Sequence, residues 1–340
     1  MTEDAELDER KASILRAIVE EYVETAQPVG SQTVARSSGL GVSSATIRND
    51  MTVLEREGFI VQPHTSAGRV PTDRGYRFFV DHFANQGPLP APQHRAVADF
   101  FATTHRALED LLNETSQLLS RVSRHAAMVV GPPPDQAEIR TVQLVRLHER
   151  TVLMVVVLSN GAIERHVLHL DTEVDDARLA TAAARLEAEL AGRTWGAVPE
   201  AGTTHEPDVD AIVADARTAL LELGAPEHRE PLYLGGVSKL AAEQEAFSTA
   251  ESAARLLEML EHQVVVVSLV HELLEAGLTV RIGAENQIDE LRECALVLAP
   301  YEVDGQSAGI VGVLGPTRMN YRHALAAVSA VSQQLGRHLS

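Results

Sequence analysis

The sequence predicts an α+β protein with an N-terminal winged helix-turn-helix, followed by an α/β domain interrupted by an insertion. Three observations carry this. Residues 8–83 run helix, helix, turn, helix, hairpin, helix. Strand-like runs lie on both sides of a long block rich in Ala, Leu and Glu. The 340 residues suffice for two or three domains.

The elements follow in order. Ile14, Ile18 and Tyr22 recur every four residues, with Leu15 and Val19 beside them, which predicts a helix over 8–26. Gln27-Pro28-Val29-Gly30 ends it, and Ser31–Ser38 forms a short second helix with Val34 and Ala35 facing inward. The Gly39-Leu40-Gly41-Val42 turn leads to Ser43, placed to cap a third helix that Gly58 stops. Phe59–Gln62 and Arg69-Val70 pair around a polar turn, and Thr72-Asp73 begins a helix reaching Phe83. The first domain therefore spans 1–84.

Three prolines and a glycine over 85–92 read as a linker. Residues 93–127 look helical. Strands are expected at 139–147, 152–158 and 163–170, the last two joined by Asn160-Gly161, a strong hairpin signal. A mainly helical block covers 174–262, and strands return at 278–282, 294–301 and 309–314 before a helix from Tyr321 to Leu335. This pattern assigns 93–170 and 263–340 to one α/β domain and 171–262 to an insertion.

Charge is uneven. The chain carries −19 overall, yet 30–80 holds six Lys or Arg against four Asp or Glu. A locally basic module on an acidic body suits contact with a polyanion. One cysteine, Cys294, excludes an intrachain disulfide or a cysteine metal site. The acidic start MTEDAELDERK lacks the apolar run of a signal peptide, and the apolar stretches are too short to span a bilayer. A soluble cytoplasmic protein without cofactor, metal or membrane partner is expected.

The third helix carries the functional signal. At about 100° per residue, Ile47, Met51 and Leu54 share one face and must turn to the core. Ala45, Asn49, Thr52 and Arg56 then point outward, flanked by Thr46 and Arg48. Arg can grip guanine, Asn adenine, and Ala or Thr methyls the thymine methyl. Ala45, Thr46, Arg48 and Asn49, in the N-terminal half, are the expected base readers. Ser43 and Ser44 would meet phosphate at the helix start, with Thr52 and Arg56 further along. The hairpin tip, including His64, Thr65, Ser66 and Arg69, would lie along the DNA backbone, with Arg69 entering the minor groove. Arg74 and Arg77 would hold phosphates. Without these neighbours the helix would read equally well as a solvated amphipathic one.

The stretch SSATIRNDMTVLEREGFIVQPHTSAGRVPTDRGYRFFVD, residues 43–81, resembles the winged-helix signature of the HrcA family of heat-inducible repressors. Residues 280–328, with GPTRMNY, resemble that family's C-terminal segment. The resemblance implies that the α/β domain is GAF-like and that the insertion is a mixed helical dimerisation domain. It implies a homodimer on an inverted-repeat operator, CIRCE, upstream of chaperone genes. It also implies relief of repression by heat and support of activity by the chaperonin.

Other readings are weaker. An effector pocket around Ile282, Glu285 and Asn286 would make the protein a ligand-gated repressor, but Gly283 and Asn286 equally serve backbone turns. No HExxH, GxSxG or Walker loop is present, His271-Glu272 lacks the second histidine, and Gly312–Arg318 lacks the lysine of a phosphate loop. Cys294 reads as a core thiol. A winged helix that binds protein would show an apolar patch where Arg48 and Asn49 stand.

Overall fold

In the computed structural model the described residues are 7–64, 67–84, 87–104, 107–132, 137–159, 163–194, 206–223, 231–242, 247, 249–273 and 277–340. The first three helices are α1 (Glu9–Thr25), α2 (Ser31–Ser37) and α3 (Ser44–Arg56). They are followed by β1 (Ile60–Val61) and β2 (Val70–Pro71), paired antiparallel, and by α4 (Asp73–Phe83). Each long helix begins on a side-chain cap, Asp8 for α1, Ser43 for α3 and Thr72 for α4, accepting an otherwise orphaned amide. Gly58, at φ +79°, turns the chain out of α3. Ile14, Ile18, Val34, Ile47, Leu54 and Phe59 fill the core that the periodicity predicts.

The proline-rich stretch is shorter than expected for a linker over 85–92. Helix α5 (Ala91–Thr103) already starts there, with Pro90 as its N-cap and Pro92 in its first turn, a position proline tolerates because no N–H is needed. Leu89 is buried in the common core. Helix α6 (Leu108–Ser123) follows, and the expected continuous helix over 93–127 is thus two helices and the start of a strand.

The body is built on one antiparallel sheet, in the order β7-β3-β10-β9-β8. Its members are β3 (Ala126–Val130), β7 (Leu232–Gly235), β8 (Thr279–Ile282), β9 (Cys294–Val303) and β10 (Gln306–Pro316). Both faces are covered. Ala127, Val129, Val297, Tyr301, Val311 and Val313 face α6 and α12 (Tyr321–Leu339) and join the core of the N-terminal unit. The alternate residues Met128, Val130, Leu296, Leu298 and Ile310 form a second core with α9 (Val237–Ala242), α10 (Ala250–Glu261) and α11 (Gln263–Leu273). Burial on both sides removes the polar alternation by which an isolated strand is recognised.

Between β3 and β7 the chain makes a separate body. Strands β4 (Ile139–His148), β5 (Thr151–Leu158) and β6 (Ile163–His169) form their own antiparallel sheet. One face packs on α7 (Asp176–Leu190) and α8 (Pro207–Leu223) through Val152, Met154, Val156, Leu186, Val213 and Leu220. The Asn160-Gly161 turn lies outside the described residues. The Gly131 amide donates to the Pro231 carbonyl at 2.8 Å, so the excursion leaves and rejoins the body at one point. The inserted unit therefore begins before β4, not at 171, and 232–273 belongs to the body. Strand runs show strand character but not which sheet they join, and hence the division at 171 and 262 fell in the wrong places.

His125, just before β3, is largely buried, and desolvation, aided by the charges of Lys239 and His323, lowers its pKa from 6.5 to about 4. The neutral ring is the folded form. Between about pH 6.5 and 4 the unfolded chain takes up a proton that the folded chain refuses, so His125 lowers stability as pH falls through that window. Urea unfolding at pH 7 and pH 5 should show a larger loss for the parent chain than for His125→Gln. Equal losses would remove His125 from the account.

Candidate nucleic-acid interface

Helix α3 presents two chemically distinct faces. Ile47, Met51 and Leu54 are buried, while Ala45, Arg48, Asn49, Thr52 and Arg56 are exposed and Ser44 and Thr46 half-exposed. Ser43 caps the helix from its exposed position, its hydroxyl accepting from the Thr46 amide at 3.2 Å and meeting the Thr46 hydroxyl at 3.0 Å. Thr52 turns its hydroxyl back onto the Arg48 carbonyl at 3.0 Å, leaving its methyl outward. Among the described residues, the side chains of Arg48, Asn49 and Arg56 have no hydrogen-bond or ion-pair partner. The outward row is thus a set of uncommitted donors, one amide and small apolar groups, the inventory that base edges and phosphates engage.

The helix is held by a residue that sequence reasoning passed over. Asp50, 6% exposed, accepts two bonds from Arg10 at the start of α1, at 2.9 and 3.0 Å. A planar guanidinium forked onto a carboxylate fixes orientation as well as distance. Asp50 is therefore a positioning residue directly behind Asn49. An acidic residue inside an otherwise polar outward stretch was the available signal.

The hairpin and α4 hold the remaining expected contacts differently. His64 is exposed, and Thr65 and Ser66 lie outside the described residues. Gln62 donates to the Ala67 carbonyl at 3.0 Å. Arg69, expected to enter a groove, is paired with Glu55 at 2.9 Å. Arg74 is exposed but donates to the Glu57 carbonyl at 2.7 Å and lies over the Phe59 ring, 4.5 Å from its centre.

Arg77 requires correction. It clamps the body. Its Nε donates to Glu285 at 2.8 Å, and its Nη2 donates to the Val280 carbonyl at 2.6 Å and to Glu285. A guanidinium so engaged is not available to a phosphate. Glu285 lies 208 residues away, beyond the reach of any local pattern.

Arg77 is one of several ties at this joint. Asp73 accepts from the Ala284 amide at 3.0 Å, and Arg322 donates to the Phe83 carbonyl at 2.9 Å and pairs with Glu20 at 3.1 Å. The Tyr76 and Tyr321 rings meet at 5.7 Å. The N-terminal unit is therefore docked on the body. Gly283, at φ +55°, lets the Asp73 carboxylate approach, and an added Cβ there would collide with it. Gly305 shares the positive φ, +78°, with open space around it. Both Gly→Ala variants carry the backbone cost of about 1–2 kcal/mol. Only Gly283→Ala also strains the joint, so it should unfold at clearly lower urea than Gly305→Ala. Coincident midpoints would show that the joint does not bear on stability.

The suggested effector residues have structural occupations. Asn286 ties the carbonyls of Gly283, Leu291 and Cys294 with its amide group, and Glu285 holds Arg77 and the Ile282 amide. Cys294 is fully buried, and desolvation followed by the Glu293 charge pushes its thiol up to about 12. It remains a thiol at neutral pH and does not serve as a nucleophile. Among the described residues no group of acidic, histidine and cysteine side chains is arranged to hold a metal, and no helix is long and apolar enough to cross a membrane.

Known proteins match this chain along its length. The family model for the HrcA protein C-terminal domain matches residues 109–325. The heat-inducible transcription repressor HrcA of Nocardia farcinica is 38% identical over 338 residues, covering 98% of this chain and 97% of that protein. The protein of the same name from Acidothermus cellulolyticus is 40% identical over 339 residues, covering 98% and 99%. A crystal structure described as a hypothetical protein superposes with a TM-score of 0.70 at 26% identity, covering 98% of this chain and 99% of that one. The chain belongs to the HrcA family of heat-inducible transcription repressors, which are DNA-directed regulators and not enzymes.

Proposed function

We propose that the protein represses chaperone genes as a cytoplasmic homodimer bound to an inverted-repeat operator of the CIRCE type. The carrying observation is the outward face of α3, where Arg48 and Asn49 stand exposed and unpartnered above a buried Ile47-Met51-Leu54 face. In this reading the N-terminal unit is a winged helix-turn-helix. Helix α3 enters the major groove, with Ala45, Thr46, Arg48 and Asn49 at the base edges. Ser43, Ser44 and Arg56 sit at phosphates, and the β1–β2 hairpin lies along the backbone.

An inverted repeat needs a two-fold partner. The inserted unit supplies a surface for one. Its helices already cover one face of the β4–β5–β6 sheet, and the other carries a cross-strand row of Val145, Leu153 and Val167, with Val155, Val157 and Ile163 beside it. Val145, Ile163 and Val167 are each at least 40% exposed. A second copy of the same face is the occupant a symmetric dimer requires. The five-stranded body takes the GAF-like role and fixes the α3 units relative to this dimer.

Heat would relieve repression because a dimer stable by only about 5–15 kcal/mol loses its DNA-binding species on modest warming. The chaperonin would return unfolded chains to the active fold, and the supply of free chaperonin would thereby set repression. Hydroxyl-radical footprinting on a CIRCE-type duplex tests the geometry. Two protected patches related by the operator dyad are expected, and one continuous unsymmetrical patch would contradict it.

A further inference from the structure

A cleft of about 810 Å³ opens at the joint between the N-terminal unit and the body. Val23 of α1, Pro90 and Arg318 line it, over the buried Val19, Phe79 and Met319. The exposed Arg124 lines it as well. The size lies within the ordinary range of small-molecule sites, which favour such junctions.

Two cations in the cleft are uncommitted. Arg318 is half-buried and Arg124 exposed, and neither side chain has a hydrogen-bond or ion-pair partner among the described residues. Arg322 is already engaged by Glu20 and the Phe83 carbonyl. Glu24, exposed on α1, is the other carboxylate in the lining. Arg124 also occupies the residue after α6 at φ +68°, where glycine is the usual choice. An arginine there bears a backbone cost that no side-chain contact offsets.

We propose that this cleft binds a small phosphomonoester, with Arg318 and Arg124 engaging the phosphate and the half-buried Val23 and exposed Pro90 meeting an apolar body. Guanidinium forks match the several oxygens of a phosphate dianion. Because both units line the cleft, a ligand that binds one arrangement of the units more tightly than another changes operator affinity, and by linkage operator binding changes its occupancy equally. That coupling rests on the DNA-reading role proposed above, whereas the binding does not.

Calorimetry on the full chain without DNA, with phenyl phosphate as probe, separates the two. Saturable binding is expected at about 1 mM or tighter. It should weaken about tenfold or more in Arg318→Gln and in Arg124→Gly, and be unchanged in Arg121→Gln, whose side chain lines a different groove. Arg124→Gly relieves the backbone while removing the cation, so its loss of binding does not come from misfolding. No saturation by about 10 mM, or unchanged affinity in both cleft variants, would overturn the site. Inorganic phosphate binding as tightly as phenyl phosphate would overturn the assignment to a phosphomonoester. An operator titration unmoved by saturating phenyl phosphate would overturn the coupling.

Discussion

A Val155→Glu chain is expected to be a folded monomer and to bind a two-half-site operator about 10²–10⁴-fold more weakly than the parent. Val155 lies on the central strand of the inserted sheet, on the face away from α7 and α8. Its cross-strand partner on β6 is Arg165, so a glutamate there gains a complementary neighbour within one chain. Across a two-fold interface the introduced carboxylate and Arg165 would be stripped of water together, and that desolvation can exceed their mutual attraction. Affinity then falls because the second α3 is no longer tethered to the first, although each retains its own contacts. Light scattering and operator titration on one sample check both statements. A variant that stays dimeric, or a monomer with unchanged operator affinity, would move the interface elsewhere.

Arg48→Ala is expected to cost about 1–3 kcal/mol at each half-site of the operator and little on unrelated duplex. The dimer engages two half-sites, so the measured loss on the full operator approaches twice that. Stability should be unaffected, because the Arg48 side chain is exposed and touches no described partner. Arg10→Ala contrasts with it. The substitution leaves α3 outwardly intact but frees Asp50, so specific binding weakens through misplacement of Asn49 and Arg48 together with some stability. Equal loss on operator and unrelated DNA for Arg48→Ala would take Arg48 off the base-reading surface.

Much of this was legible in the sequence where one helix face or one strand face is dry. The Ile47-Met51-Leu54 spacing located the outward row of α3, and β4, β5, β6, β9 and β10 all lie where apolar runs placed them. Strand β3, AAMVV, escaped because it is buried on both faces and follows α6 with Arg124 in place of a terminating glycine. Strand β7, LYLG, is four residues inside a helical stretch and is defined by its pairing with β3. The phosphate roles expected for the arginines were the least legible. Type and spacing place Arg77 on the correct helix, but the Glu285 carboxylate that claims it is supplied by the far end of the chain. The same is true of the inserted unit, whose limits follow from the meeting of Gly131 and Pro231.

The central claim is that the exposed row of α3 reads sequence within a two-fold dimer. A fluorescence-anisotropy titration of the full chain against a CIRCE-type inverted repeat and a scrambled duplex, at one fixed physiological salt concentration, tests it most directly. The account predicts a preference of about 10³-fold or more for the inverted repeat. Equal weak binding to both duplexes, by protein shown to be folded and dimeric, would contradict it.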